Sequence, residues 1–231
     1  MADGKWGECN DAITITQDGL CLNGQHRLRA VIAADRAVWL DIKRGVPEAA
    51  FHYIDTGAAR SGGDILSIAG ETSTKLLAAG LKLIDAWETR GDTTDGLSLT
   101  RATPADTIAI LKAHPEAREC VRFVVGSKAW PQGMIEPRVV VFLYWLFRQI
   151  DEQQAADFMN GLRDGGLETN DPVHRLRERL LSVRLAGTTL GQLDKIVLSI
   201  KAWNMRRGGV KTDRIVRRQK MTDETKVPLP I

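Results

Sequence analysis

Short β-prone runs and a polar turn open the chain. Residues 13–16 (ITIT) and 20–22 (LCL) favour strands, and Gln17-Asp18-Gly19 between them carries the Asp-Gly signal of a tight turn. We therefore predict a β-hairpin here. After Asn23-Gly24 the apolar residues follow a helical period, so the hairpin should lead directly into a helix. A third β-prone run at 37–42 predicts one more strand. The beginning of the chain is therefore predicted to be a small α/β region.

From about residue 61 the apolar spacing is helical almost throughout. Eight segments carry apolar residues three and four positions apart and are predicted to be helices: 65–69, 76–87, 105–113, 117–125, 137–150, 152–163, 172–185 and 191–203. Thr103 and Pro104 offer a cap and a first-turn proline to the third of them. Residues 91–100 are rich in Gly, Asp and Thr and predict a loop or hinge. The pattern indicates an α+β fold whose larger second region is all-helical.

Composition narrows the class of protein. Apolar residues make up 43% of the chain, which is ordinary for a packed globular protein. The most apolar stretch, 139–147, is less than half of the roughly 20 residues that a membrane span needs, so we predict a buried helix. Residues 1–6 show no apolar core preceded by positive charge, so we expect no secretory signal. Scattered cysteines (Cys9, Cys21, Cys120) and histidines favour neither a disulfide framework nor a preformed metal cluster, and we expect a cytoplasmic protein with no membrane partner.

Positive charge is concentrated near the end of the chain. Residues 201–220 carry eight basic side chains against the single acid Asp213, although the whole chain is only +3. Such a segment is either a nucleic-acid-binding surface or a solvated helix face, and the sequence leaves both open. The candidate nucleic-acid contacts are Arg206, Arg207, Lys211, Arg214, Arg217 and Arg218. Trp203 precedes them and is best interpreted as a core residue, with base stacking as the alternative.

Asn23-Gly24-Gln25-His26-Arg27 combines the properties that an anion site needs. Gly24 lets the backbone approach a ligand closely, and the helix that begins there offers unpaired N–H groups and the positive end of its dipole. Arg27 adds a forked cationic donor, while His26 and Asn23 add further hydrogen-bond donors. We predict a phosphate site at this loop. The alternative is a simple capped helix start.

Residues 18–31 (DGLCLNGQHRLRAV) resemble the signature segment of the ParB/sulfiredoxin superfamily, in the GQHR form common in ParB-like proteins of phages and mobile elements. Segments 44–46 and 55–61 are also similar to phage-type members, and the resemblance covers roughly residues 4 to 70. It implies a ParB/sulfiredoxin-like phosphate-binding domain over 1–70 that presents the loop to a nucleotide. A helical domain with a basic C-terminal segment would then occupy 71–231.

This chain departs from the family pattern in three ways. Gln25 stands where sulfiredoxins have their catalytic cysteine, which argues against sulfiredoxin activity. Chromosome-partitioning ParB proteins have Glu-Arg-Arg where this chain has Gln25-His26-Arg27, so we expect phosphate binding, while this departure argues against CTP hydrolysis. Relatives usually carry a helix before the segment that matches residues 4–6, which indicates an internal start or a truncated chain.

A second candidate cluster follows in Asp55, Arg60 and Ser61. Asp55 could ligate Mg²⁺ or act as a base, and Arg60 and Ser61 at a helix start could hold a second phosphate. The alternative is that Asp55 makes a turn and Arg60 is solvated. Asp18 is the other carboxylate that could ligate Mg²⁺.

These observations predict a ParB-like nucleotide- or DNA-binding protein of phage or mobile-element type, with a ribonucleotide and Mg²⁺ as the expected cofactors. The main alternative is a phosphoryl-transfer enzyme, an NTPase or a small-molecule kinase, with Asp55 and Gln25 as the catalytic candidates. A ParB-like nuclease ranks lower, because no paired carboxylates have the spacing that would hold two metals. A homodimer is left open.

Overall fold

The computed structural model describes residues 11–53, 61–90, 102–126, 130–131, 133–188, 190–215 and 227–231. The chain divides into two compact units, Met1–Arg60 and Ser61–Ile231. The first contains a small sheet with one α-helix and the second is helical, so the predicted α+β fold with a larger helical region is confirmed. The predicted boundary at residue 70 lies inside the second unit, because the helix at 62–68 packs against helices that follow it.

The N-terminal unit contains strands β1 (Ile13–Ile15) and β2 (Cys21–Asn23), helix α1 (Gln25–Ala34), strand β3 (Ile42–Lys43) and a 3-10 helix (Glu48–Tyr53). Strands β1 and β2 pair antiparallel, which confirms the predicted hairpin. A hydrogen bond from the Leu20 N–H to the Thr16 hydroxyl closes the turn between them. Gly19 in this turn has a φ of +86°, a conformation that a residue without a side chain adopts readily.

The third strand is much shorter than predicted. Only Ile42 and Lys43 pair, parallel with β1, whereas the sequence predicted a strand over residues 37–42. In the parallel register Ile13 pairs with Ile42, so the described part of β3 begins level with the start of β1. Trp39, in the middle of the predicted strand, is 96% exposed. The β propensity of this segment therefore did not predict which of its residues pair in the sheet.

All eight helices predicted in the second unit are present, with ends displaced by a few residues. They are α2 (Gly62–Ile68), α3 (Thr74–Arg90), α4 (Thr107–Ala113), α5 (Ala117–Gly126), α6 (Pro137–Arg148), α7 (Glu152–Asp164), α8 (Pro172–Leu185) and α9 (Gln192–Arg207). A 3-10 turn (Pro104–Asp106) precedes α4, and Thr103 and Asp106 form a capping box around it. The predicted threonine cap and first-turn proline are thus confirmed.

Helix α6 is the centre of the helical unit. Every residue from 139 to 147 is buried, and α6 contacts α3, α5, α7 and α9, which confirms the prediction of a buried helix. Phe147 stacks on Trp203 with ring centroids 4.3 Å apart, and Trp203 is only 1% exposed. The core interpretation of Trp203 is therefore confirmed, and base stacking is excluded because its ring is covered. None of the described helices is long and apolar enough to cross a membrane.

A carboxylate–guanidinium pair joins the turn after α2 to α5. Both oxygens of Glu71 accept from Arg118, at Nη2···Oε1 2.6 Å and Nε···Oε2 3.0 Å. This hydrogen bonding from Arg118 holds the pKa of Glu71 below its usual range. The pair therefore stabilises the fold at neutral pH and is weakened when Glu71 is protonated in acid.

Candidate functional site

The predicted phosphate loop lies between β2 and α1. Gly24 is the N-cap of α1 and has φ +94° and ψ 12°, in the left-handed region that glycine adopts without strain. A Cβ at this position would overlap Cδ1 of Ile13, which is fully buried in the sheet. Glycine is therefore required both by the backbone conformation and by the close packing of the loop against β1.

The first turn of α1 is open to an anion. No side chain of the described residues caps it, and the turn contains no acidic residue. The first amide bonded within the helix is that of Leu28, which donates to the Gly24 carbonyl at 3.0 Å. The preceding N–H groups point out of the helix end, where they and the dipole favour a negative charge. The side chains of Gln25 and His26 are exposed at this end.

Arg27 makes a contact that the sequence did not predict. Its Nη1 donates to the carbonyl of Asp11, and its Nη2 lies 3.5 Å from the carbonyl of Ala12. The half-buried guanidinium thus ties the start of α1 to the residues before β1. A phosphate contact by Arg27 stays a prediction, and it would have to use the donors that these carbonyls leave free.

The neighbouring side chains also hold the loop together. The Gln25 amide donates to the Cys21 carbonyl at 3.1 Å, and the Cys21 thiol donates to the Asn23 carbonyl at 3.2 Å. The side chain of Asn23 is half-buried beside them. A catalytic role for Gln25 remains a prediction. In the structure its side-chain amide is already bonded to the backbone of β2. Asp18 lies exposed in the hairpin turn.

The second predicted cluster is only partly described. Asp55 and Arg60 lie outside the residues that the structure describes. Ser61 is the N-cap of α2: its hydroxyl donates to Oδ2 of Asp64 at 2.7 Å and accepts from the Asp64 N–H at 3.3 Å. Ser61 belongs to the helical unit, whereas residues 23–27 belong to the N-terminal unit. Phosphate binding by Ser61 would compete with this capping box.

Three of the predicted nucleic-acid contacts form ion pairs with carboxylates of the same unit. Arg206 approaches Asp171 at 4.0 Å, Arg207 approaches Asp151 at 3.7 Å, and Lys211 pairs with Glu168 at 2.7 Å. Asp151 and Asp171 are themselves the N-caps of α7 and α8. The arginines at the end of α9 therefore connect that helix to the starts of two others. These contacts give the cations a structural role that the sequence could not show.

The remaining basic candidates are less constrained. Arg214 is exposed and forms no ion pair within the described part of the chain. Arg217 and Arg218 lie outside that part.

The geometry of the described residues gives no support to metal ligation. Within the described ranges, no group of three His, Cys, Asp or Glu side chains could hold an ion.

The cysteine chemistry is also limited. Burial raises the pKa of the Cys120 thiol to about 11, although Arg148 acts in the opposite direction. A thiol of this kind stays protonated at neutral pH and is a poor nucleophile. Cys120 therefore acts as a small core residue.

Sequence reasoning missed a cleft in the helical unit, which we call the α3 cleft. It is lined by Lys75, Ala78, Ala79, Lys82 and Leu83 of α3, with Ser61, Gly62, Gly63, Arg138 and Gln192 around them, and has a volume of about 640 Å³. The seven-residue spacing of the two lysines was a signal for one helix face. Nothing local indicated that Arg138 and Gln192 would join them, since both come from other helices.

Comparison with known proteins adds no assignment. No protein-family model matches the chain, and neither a curated protein nor a solved structure matches it significantly. The class that the fold and the loop define is an α+β protein with an open helix start after a hairpin. The resemblance to the ParB/sulfiredoxin superfamily consequently rests on the sequence alone, chiefly on the motif in residues 18–31, and remains a prediction.

Proposed function

We propose that this protein is a ParB-like, phage-type nucleotide-binding protein that holds a phosphate group of its ligand at the start of α1. The observation that carries the proposal is the uncapped first turn of α1, which begins at the left-handed Gly24 and contains no acidic residue. Backbone N–H groups at such a helix end are a common means of binding phosphate.

The loop supplies the ligand with donors of two kinds. The backbone amides of the first turn are fixed in direction by the helix, so they lose little freedom when an anion binds. His26 is exposed in that turn and adds an imidazole that can donate a hydrogen bond. Arg27 acts mainly as a support in this proposal, because its guanidinium holds the residues before β1.

Nucleotide binding is favoured over DNA binding by the ion pairs near the end of the chain. Arg206, Arg207 and Lys211 are engaged by carboxylates, and freeing them for a DNA backbone would require breaking those pairs. The enzymatic alternatives, phosphoryl transfer and nuclease activity, require a general base or metal ligand beside the bound phosphate. Asp55, the acidic residue predicted for that task, lies outside the described residues, so we propose binding alone.

The substitution His26→Glu tests the proposal. A carboxylate in the first turn repels a bound phosphate, yet it stabilises the helix itself by about 0.3–1 kcal/mol through the dipole. We therefore expect lower affinity for ribonucleotides without any loss of thermal stability. The measurement is the shift in melting temperature on adding each common ribonucleoside triphosphate, with and without Mg²⁺, since a ligand that binds the native state must raise it.

The matched control is Gln17→Glu, which introduces the same carboxylate on an exposed residue of the hairpin turn. It should leave the ligand-induced shift unaltered. The proposal is wrong if both variants retain the wild-type shift with every ribonucleotide. It is also wrong if the wild-type protein shows no shift with any of them at millimolar concentration.

A further inference from the structure

The three cations of the α3 cleft come from two helices. Lys75 and Lys82 lie seven residues apart and therefore on the same face of α3, and Arg138 lies in the first turn of α6. Gln192, the first residue of α9, adds a neutral amide. All of these residues belong to the helical unit.

No described residue compensates the charge in the cleft. Elsewhere in the unit, Arg118, Arg148 and Lys195 pair with glutamates at 2.6, 2.9 and 2.7 Å. By contrast, Lys75, Lys82 and Arg138 form no ion pair with any described residue, and none of the described residues that line the cleft is acidic. Like charges gathered in a concave site raise the local potential and attract anions.

The wall between the lysines is apolar. Ala78, Ala79 and Leu83 lie on the same face of α3 as Lys75 and Lys82, and Ala78 and Leu83 are buried. A ligand in this cleft would meet cations at its charged end and a small aliphatic surface along its uncharged part. The volume of about 640 Å³ falls within the range of roughly 300–1,000 Å³ that is typical of small-molecule sites.

We infer that the α3 cleft is a second anion site, which binds a phosphorylated small molecule of the nucleotide class through Lys75, Lys82 and Arg138. The phosphates contact the cations and Gln192, and the sugar or base covers Ala78, Ala79 and Leu83. Duplex DNA fits less well, because its bases are stacked inside the helix and cannot reach the apolar wall. The inference does not rest on the proposed phosphate loop, which belongs to the other unit.

The test uses the whole 231-residue chain carrying His26→Glu, so that binding at the α1 loop is weakened. Inorganic pyrophosphate, ATP and a 20-base-pair DNA duplex are titrated separately by calorimetry at low salt. Lys82→Met removes one charge of the cleft while keeping the aliphatic stem of the side chain. Lys112→Met is the matched control, because Lys112 is exposed on α4 and does not line the cleft.

We expect ATP to bind more tightly than pyrophosphate, and Lys82→Met to weaken both by about tenfold, the lower end of the range for a hydrogen bond to a charged group. Lys112→Met should leave both affinities unchanged. Without ligand, Lys82→Met should keep or raise the melting temperature, because it relieves repulsion among like charges. A lysine whose role was structural would show the opposite effect, a lower melting temperature and an unchanged affinity.

Three outcomes overturn the inference. One is that neither ATP nor pyrophosphate binds at millimolar concentration, and another is that Lys82→Met weakens their binding no more than Lys112→Met does, including the case where neither variant changes it. The third is that the duplex binds and loses affinity in Lys82→Met while ATP does not bind, which would make the cleft a nucleic-acid surface. Because His26→Glu is present throughout, failure of the proposed α1 site leaves this result readable by itself.

Discussion

At the scale of single residues, the loop after the hairpin depends on two side-chain requirements. Gly24 must have no Cβ, because Ile13 occupies that space and the backbone is left-handed there. Arg27 must reach back to Asp11 and Ala12, whose carbonyls lie beside the first strand. A residue that was expected to contact a ligand is therefore also part of the support for the loop.

Arg27→Ala is expected to loosen the N-terminal unit as well as to affect ligand binding. Hydrogen bonds from a charged donor contribute about 1.5–3 kcal/mol when buried, and the half-buried Arg27 should contribute about 1 kcal/mol. The amide of Ile13, which donates to the Asp41 carbonyl at 2.7 Å, should then exchange with solvent several-fold faster. Hydrogen exchange followed by NMR measures this directly.

Arg29→Ala serves as the control for that experiment. It removes an exposed arginine from the same helix and should leave the Ile13 amide protected. Unchanged exchange in Arg27→Ala, together with weaker ribonucleotide binding, would show that the guanidinium serves the ligand alone.

At the scale of elements, the helical unit depends on the close approach of α3 to α6. Gly80 of α3 is buried, and a Cβ there would lie 2.7 Å from Cγ1 of Val141. Glycine lowers the intrinsic stability of a helix by about 1 kcal/mol relative to alanine. Its presence inside α3 is therefore best explained by the packing of the two helices, which needs a small residue at this point.

Gly80→Ala should destabilise the protein although it improves helix propensity. Overpacking a close interface costs about 1–3 kcal/mol, which exceeds the gain of about 1 kcal/mol in propensity. We expect the free energy of unfolding to fall by up to about 2 kcal/mol in denaturant titrations. Adding Val141→Ala should relieve the clash, so Gly80→Ala should cost less in that background than in the wild type.

Gly126→Ala is the matched control, since Gly126 ends α5 and a Cβ there meets nothing within 4 Å. It should be neutral or stabilising by up to about 1 kcal/mol. Equal effects of the two glycine substitutions would mean that propensity, and not packing against Val141, determines the stability at Gly80.

At the scale of the whole molecule, the distribution of charge decides which surfaces are available to nucleic acids. The net charge of +3 is small, and the basic residues of segment 201–220 are not equivalent. Arg206, Arg207 and Lys211 neutralise carboxylates of the same unit. Cations that are already paired release fewer counterions from DNA and should contribute little to the dependence of binding on salt.

Two triple variants separate these groups in DNA binding. Replacing Arg206, Arg207 and Lys211 by glutamine should leave the slope of log affinity against log salt unchanged. If the segment contacts duplex DNA, replacing Arg214, Arg217 and Arg218 should reduce that slope by about two to three units, at −0.9 per phosphate neutralised. Fluorescence anisotropy with a labelled duplex between low and physiological salt measures both slopes.

The opposite pattern, a reduced slope in the first triple variant only, would show that the ion pairs open to bind DNA. Undetectable duplex binding by the wild type at low salt would instead support a solvated helix face. Both variants should be compared at a temperature where circular dichroism shows them folded, because loss of the pairs to Asp151 and Asp171 also weakens contacts between helices.

The sequence alone was sufficient for features that depend on neighbouring residues. The Asp-Gly turn, the hairpin, the helix start at Gly24, the eight later helices and the burial of α6 all follow from local turn chemistry or apolar periodicity. These patterns repeat within a few residues, so no knowledge of the rest of the fold is needed. They also led to the loop at 23–27 as the candidate site.

Only the tertiary structure decided the features that join distant parts of the chain. The contacts of Arg27 with Asp11 and Ala12 and the ion pairs of Arg206 and Arg207 with helix caps link residues that periodicity cannot relate. The two-residue β3 depended on its register with β1, and the α3 cleft on how four helices meet. In each case the partner of a side chain or strand is set by packing geometry, which a local pattern does not encode.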